Sequence, residues 1–144
     1  MDFHKLSDVG YARELLTCAA KLGMNAHLLP KKEGGEYIAL VIGKFRPLNT
    51  MGHVQVSDPS GEMDYTEGNE YAFPLKMNAE PAYVFFAQND IDRHHVVVIE
   101  NALNISKIME KSYGMEYFIS NKEMSFLVSV NVYAIGWAGA IDLS

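Results

Sequence analysis

A short segment near residue 90 brings carboxylates and imidazoles together, and it is the first place to look for chemistry. Its members are Asp90, Asp92, His94 and His95. In an extended segment Asp90, Asp92 and His94 would point to one side, where they could share a metal ion or exchange a proton. Arg93 between them opposes cation binding, and the spacing matches no motif with a known mechanism. Because turns are commonly rich in Asp, we predict a turn here, with no metal and no cofactor.

A second stretch is acidic and carries two tyrosines. Its acidic members are Asp58, Glu62, Asp64, Glu67 and Glu70, its tyrosines are Tyr65 and Tyr71, and it contains no Lys or Arg. It is not an EF-hand loop, because Met63 stands where the glycine belongs and no glutamate closes the loop. A solvated hairpin loop has this composition. The alternative is a surface for a basic protein partner, since tyrosines anchor interfaces and carboxylates steer encounter.

The other reactive residue types are scattered along the chain. Cys18 belongs to an apolar helical stripe, which predicts a small core residue and not a nucleophile. His4, His27 and His53 are isolated in the sequence. Glycine-rich phosphate loops, paired cysteines and metalloprotease signatures are absent, which disfavours nucleotide-binding, zinc and protease functions.

Composition narrows the class of protein. The chain has 144 residues, which predicts one domain over residues 1–144. The net charge of −6 opposes nucleic-acid binding, which relies on clustered Lys and Arg. A single cysteine and the lack of a long apolar run predict a cytoplasmic protein that does not enter a membrane.

The clearest structural pattern lies at residues 115–135. Apolar residues at every second position are Phe126, Val128, Val130, Val132 and Ala134, and the polar parity holds Ser125, Ser129, Asn131 and Tyr133. This alternation predicts one strand with a buried and a wet face, preceded by a partner strand ending at Ile119. A turn at 121–122, or a loop at 120–123, would place Tyr117 opposite Phe126. Residues 136–140 are expected to be a tail of small residues.

Two helices and several further strands complete the expected elements. Ser7 and Gly23 bound the first helix, and Asn101 and Gly114 bound the second. Strands are predicted at residues 26–29, 36–45, 53–57, 71–77, 82–88 and 95–99, with a connection at 30–35. Residues 36–45 are apolar on both parities, which predicts a strand in the middle of the sheet.

Short connections between strands favour antiparallel pairing. We therefore predict an α+β fold: one twisted, mostly antiparallel sheet of about six or seven strands, with two helices on one face. Three functional hypotheses follow. The first is a small acidic inhibitor, immunity-type or chaperone-like protein, non-enzymatic, that occludes a basic protein partner. The second is an enzyme or ligand-binding domain with a pocket of Tyr83, Phe85 and Trp137 and with His94 or His95 as base. The third is a structural subunit that oligomerises, for example as a homodimer, through a strand edge.

Overall fold

The computed structural model describes residues 10–66, 68–88, 91–112 and 114–144. The strands are β1 (Ala26–Leu28), β2 (Gly61–Asp64), β3 (Ala82–Phe86), β4 (Val96–Ile99), β5 (Tyr117–Ser120), β6 (Phe126–Val130) and β7 (Ala134–Gly139). They form one sheet in the order β1-β4-β3-β5-β6-β7-β2, and every pairing is antiparallel. The predicted α+β class and the antiparallel sheet are confirmed.

The helices are α1 (Tyr11–Lys21), α2 (Lys31–Phe45), α3 (Asn69–Ala72) and α4 (Ile105–Lys111), with short 3₁₀-helices at Phe73–Lys76 and Ala102–Asn104. Gly23 follows α1 with a φ of +69°, as predicted for a C-terminal glycine. The Asn101 side chain accepts a hydrogen bond from the Leu103 N–H at 3.0 Å, which confirms the predicted cap. Ser7 and Tyr113 lie outside the described residues. No helix in the described ranges has the length and apolarity to cross a lipid bilayer.

Two apolar clusters cover the two faces of the sheet. One cluster joins α1 and α4 to Val84, Phe86 and Val128. The other joins α2 to Phe85 and Phe118, which point to the opposite face. The sheet is therefore covered on both faces, whereas the sequence predicted helices on one face only.

The helix α2 replaces the connection and central strand predicted at residues 30–45. Its buried side chains include Tyr37, Ile38 and Val41, whereas Leu40 is 62% exposed. This spacing is helical. Because residues 36–45 are apolar on both strand parities, they fit the spacing of a helix as well as that of a buried strand. The prediction was wrong because the periodicity of a short apolar run does not separate a buried strand from a helix.

Two glycines in the first turns of α2, Gly34 and Gly35, led to the wrong prediction of a connection at residues 30–35. A Cβ on Gly34 would lie 2.4 Å from the His94 carbonyl oxygen, and one on Gly35 would lie 3.3 Å from His94 Nδ1. Glycine inside a helix costs about 1 kcal/mol relative to alanine. Here it allows the helix backbone to approach residue 94 directly.

The hairpin of β5 and β6 has a different register from the predicted one. Tyr117 pairs with Val130 and Ile119 with Val128, a shift of four residues along β6. Residues 121–125 form the loop, in which the Asn121 side chain accepts a hydrogen bond from the Ser125 N–H at 2.9 Å. An even shift preserves the faces, so the predicted apolar parity of β5 and β6 still lies in one cluster.

The long strand predicted at residues 126–134 is two strands with a tight turn between them. Asn131 Oδ1 accepts hydrogen bonds from the N–H groups of Tyr133 (2.8 Å) and Ala134 (2.9 Å), and its Nδ2 donates to the Val54 carbonyl at 2.9 Å. Asn131 is 5% exposed, so its predicted place on a wet face was wrong. The expected tail is β7, which pairs with both β6 and β2.

The remaining predicted strands divide into correct and incorrect ones. Those at 26–29, 82–88 and 95–99 correspond to β1, β3 and β4. Residues 53–57 are not a regular strand, although Gln55 forms a single bridge with Asn49. Residues 71–76 belong to α3 and a 3₁₀-helix, where Pro74 occupies the first turn that proline tolerates.

Candidate functional site

The segment around Asp92 is a helix cap. The carboxylate of Asp92 is 3% exposed and accepts hydrogen bonds from the Tyr11 N–H (2.6 Å) and the Ala12 N–H (3.1 Å) at the start of α1. His95 Nδ1 lies 3.4 Å from the same carboxylate. His94 has a φ of +68°, and Asp90 lies outside the described residues. No group of three His, Cys, Asp or Glu side chains in the described part of the chain could hold a metal ion.

The residues proposed for an enzymatic pocket are separated by the sheet. Phe85 packs in the cluster under α2, whereas Trp137 belongs to the cluster on the opposite face. Trp137 lies directly over Gly61, where a Cβ would come within 2.3 Å of the indole Cζ2. These aromatic side chains cannot line one pocket. The pocket of Tyr83, Phe85 and Trp137 predicted for an enzyme or ligand-binding domain is therefore not formed.

The acidic stretch is a turn, an edge strand and a short helix. Asp58 is exposed in the turn, with a φ of +45°, and leads into β2. Glu62 and Asp64 are exposed on β2, which lies at one end of the sheet and pairs with β7 alone among the described strands. Glu67 lies outside the described residues. The structure therefore brings Asp58, Glu62 and Asp64 to a single edge of the sheet.

The backbone of β2 offers hydrogen-bonding groups along this edge. The Tyr65 N–H donates to the Tyr133 carbonyl on the β7 side at 3.2 Å. Successive residues of an antiparallel strand direct their backbone groups alternately to the two sides, so those of Glu62 and Asp64 face outward. The outward Asp64 carbonyl accepts a hydrogen bond from Asn69 Nδ2 at 2.9 Å, whereas Glu62 lies at the centre of the open edge.

Glu70 and the hydroxyl of Tyr65 turn inward. Glu70 is 8% exposed and accepts a hydrogen bond from the Tyr65 hydroxyl. Burial raises the pKa of Glu70, and the Tyr65 hydrogen bond partly offsets the rise. Tyr71 is half-buried, with its carbonyl accepting a hydrogen bond from Ser106. The nearby Tyr117 hydroxyl is fully buried and has no hydrogen-bond partner among the described residues. Glu70 is therefore not a surface residue of an acidic loop, whereas Tyr71 stays partly exposed.

A cleft that the sequence did not reveal lies next to this buried group. It has a volume of about 500 Å³, and its walls include Tyr11, Tyr65, Phe86, His53 and Glu116. His53 Nδ1 lies 2.6 Å from Glu116 Oε2. The Glu116 carboxylate also accepts hydrogen bonds from the N–H groups of Val54 (3.3 Å) and Val132 (3.2 Å). Glu116 and His53 are 63 positions apart, so no local pattern could have paired them.

Comparison with known proteins adds no family to this description. No family model matches the chain, and no curated protein or solved structure is significantly similar to it.

Proposed function

We propose that this is a non-enzymatic binding protein that uses the β2 edge to cover a basic surface of a protein partner, as an inhibitor, immunity-type or chaperone-like protein does. The observation that carries the proposal is the position of Glu62 and Asp64, exposed on a strand that has a neighbour on one side only. This edge combines negative charge with outward backbone groups.

Charge supports a basic partner. The exposed carboxylates of Asp58, Glu62 and Asp64 lie in a stretch, residues 47–75, that contains no Lys or Arg. Concentrated charge of one sign raises the association rate with an oppositely charged protein and lowers it with a like-charged one. Two copies of this edge would bring their carboxylates together, so the same charges disfavour a homodimer through β2.

The open edge of β2 supports contact by addition of a partner strand. A partner segment in an extended conformation can add to an edge strand through backbone hydrogen bonds, with specificity from alternate side chains. Lys or Arg at alternate positions of that segment would lie beside Glu62 and Asp64. Charged residues on an edge also prevent unwanted pairing, which is compatible with a selective contact to a basic segment.

Exposed apolar side chains next to β2 provide an anchor. Tyr133 is 70% exposed and Val132 is 52% exposed, in the turn that leads into the β7 end beside Asp64. Exposed tyrosines are frequent anchors of interfaces. Tyr133 takes the anchoring role that the sequence assigned to Tyr65, whose hydroxyl is engaged by Glu70.

The test compares the edge with an equally acidic surface elsewhere. The double variant Glu62→Lys with Asp64→Lys is matched by Glu33→Lys with Glu36→Lys, which changes the same charge on exposed positions of α2. Proteins retained by the immobilised wild type are identified by mass spectrometry, and their association and dissociation rates are measured at two salt concentrations. We expect the β2 variant to associate about tenfold more slowly, with weaker salt dependence, and the α2 variant to resemble the wild type.

Tyr133→Ala separates anchoring from steering. Loss of a desolvated anchor accelerates dissociation, so this variant should dissociate roughly thirtyfold faster while its association rate changes little. Equal rates for the wild type and the β2 double variant would contradict the proposal, as would a captured partner whose contact surface is acidic.

A further inference from the structure

The cleft beside Tyr65 is negatively charged and has aromatic walls. The described residues that line it include the carboxylates of Asp92 and Glu116 and no Lys or Arg. Backbone N–H groups donate to these carboxylates and hold them in place, and the Nδ1 atoms of His53 and His95 lie 2.6 Å and 3.4 Å from them. Backbone amides carry no net charge, so the described lining keeps a negative potential as long as the two imidazoles are neutral, and a concave, low-dielectric wall strengthens it.

Aromatic rings make up much of the remaining lining. Tyr11 and Phe86 have their ring centroids 6.2 Å apart, and Tyr65 also lines the cleft. The electron-rich faces of such rings attract organic cations, and a site of aromatic side chains with nearby carboxylates is the recurrent form of a quaternary-ammonium site. Burial and the contact with Glu70 raise the pKa of Tyr65, to which the charge of Glu116 adds.

We propose that this cleft is a binding site for an organic cation, an alkylammonium or guanidinium group. The inference stands without the proposed function, because neither Glu62 nor Asp64 lines the cleft, although Val132 borders both surfaces. The cation could be a free small molecule or the side chain of a protein partner. The two share one chemistry, and the experiment distinguishes them.

The decisive probes are choline and 3,3-dimethyl-1-butanol, which have nearly the same shape and differ in one positive charge. Each is titrated into the full-length protein while backbone amide resonances are followed by NMR. We expect choline to shift the resonances of Gly52, Ala87 and Met115, which line the cleft. The neutral isostere should bind at least about tenfold more weakly, because it lacks the attraction to rings and carboxylates.

Two pairs of variants locate the interaction. Glu116→Gln keeps the side-chain shape and an acceptor oxygen for one of the two backbone donors, and it should weaken choline binding severalfold. Glu62→Gln on β2 should not. If Glu116→Gln disturbs amide resonances far from the cleft, the variants Tyr65→Leu and Tyr65→Phe are compared instead. Only the leucine variant lacks the aromatic ring. Choline binding should then be retained in the phenylalanine variant and lost in the leucine variant.

A third probe, Nα-acetyl-arginine methylamide, presents the same charge as a protein side chain would. Tighter binding than choline would assign the cleft to a partner's arginine, and tighter binding of choline would assign it to a free ammonium compound. The proposal is overturned if the neutral isostere binds as well as choline, if the shifts lie outside the cleft, or if both Glu116→Gln and Tyr65→Leu bind choline like the wild type. A failure of the β2 variants to affect a captured partner would leave these titrations unchanged.

Discussion

Asp92 and Glu70 are both buried acidic side chains, 3% and 8% exposed, but their surroundings differ. Asp92 accepts two backbone hydrogen bonds from the first turn of the eleven-residue helix α1, whereas Glu70 accepts one from the Tyr65 hydroxyl and lies in the four-residue helix α3. Among the described residues neither forms an ion pair with Lys or Arg.

The comparison shows that the partner, and not the depth of burial, decides what a buried carboxylate contributes. The N-terminus of a helix presents oriented N–H groups and a partial positive charge, which replace the water that Asp92 loses. One hydroxyl replaces much less of the hydration of Glu70, and burial accordingly raises its pKa. Asp92 should therefore stabilise the fold, whereas ionised Glu70 should destabilise it.

The largest effect is expected from Asp92→Ala. The substitution leaves the Tyr11 and Ala12 N–H groups without their acceptor and removes a charge-assisted cap, so the free energy of unfolding should fall by about 3 kcal/mol. Asp92→Asn, which keeps one acceptor oxygen, should lose roughly half of that. Denaturant titration of both variants is the measurement. A loss as small as that of an exposed substitution would show that α1 does not depend on this cap.

Asn131→Asp extends the comparison to a buried polar group that is neutral. Its Nδ2 donor to the Val54 carbonyl would become an acceptor facing an acceptor, and a charge would be buried, so we expect a loss of about 2 kcal/mol. Val132→Asp, one residue away and exposed, should change stability by less than about 0.5 kcal/mol. Similar melting temperatures for the two variants would contradict the turn geometry described for Asn131.

Glu70→Gln should have the smallest effect and the opposite sign. Because the folded-state pKa of Glu70 is raised, the folded protein holds the proton more tightly than the unfolded chain. The associated stability is fully present below the unfolded pKa and is lost as the pH rises through the folded pKa. Glu70→Gln should remove this dependence and raise the stability at neutral pH by about 1 kcal/mol. Unfolding of both proteins measured at pH 4 and pH 7 checks both points; a Glu70→Gln variant whose stability changes with pH as much as that of the wild type would refute the assignment to Glu70.

Local patterns in the sequence predicted the structure correctly where they arise within a single helix or strand. Strand alternation located β5 and β6 and placed their apolar parity in one cluster, but the face expected to be wet is buried as well, with Ser129 1% exposed. Gly23 marked the end of α1, and Asn101 marked the start of the second predicted helix. The predicted register of the hairpin was wrong by four residues because connections that differ by an even number of residues give the same alternation. The apolar alternation of the two strands determines which side chains share a face, but not the length of the loop between them.

The elements that were misassigned depend on contacts between distant segments. Gly34 and Gly35 indicate a loop unless the close approach of residue 94 is known, and α2 then covers the second face of the sheet. Asn131 looks like a solvent-facing strand residue unless the carbonyl of Val54 is placed beside it. In both cases the partner is more than fifty positions away, so no window of the sequence contains it.

The features of the candidate site also divide into those that the sequence determined and those that only the tertiary structure decided. By itself the sequence determined that the chain is acidic, that residues 58–70 hold carboxylates without Lys or Arg, and that its strands would form an antiparallel α+β fold. Tertiary structure alone decided that Glu62 and Asp64 lie on an open edge, that Glu70 is turned inward, and that Glu116 meets His53 beside a cleft. The physical reason is that charge and alternation belong to the chain, whereas exposure and electrostatic environment arise only when distant segments pack and exclude water.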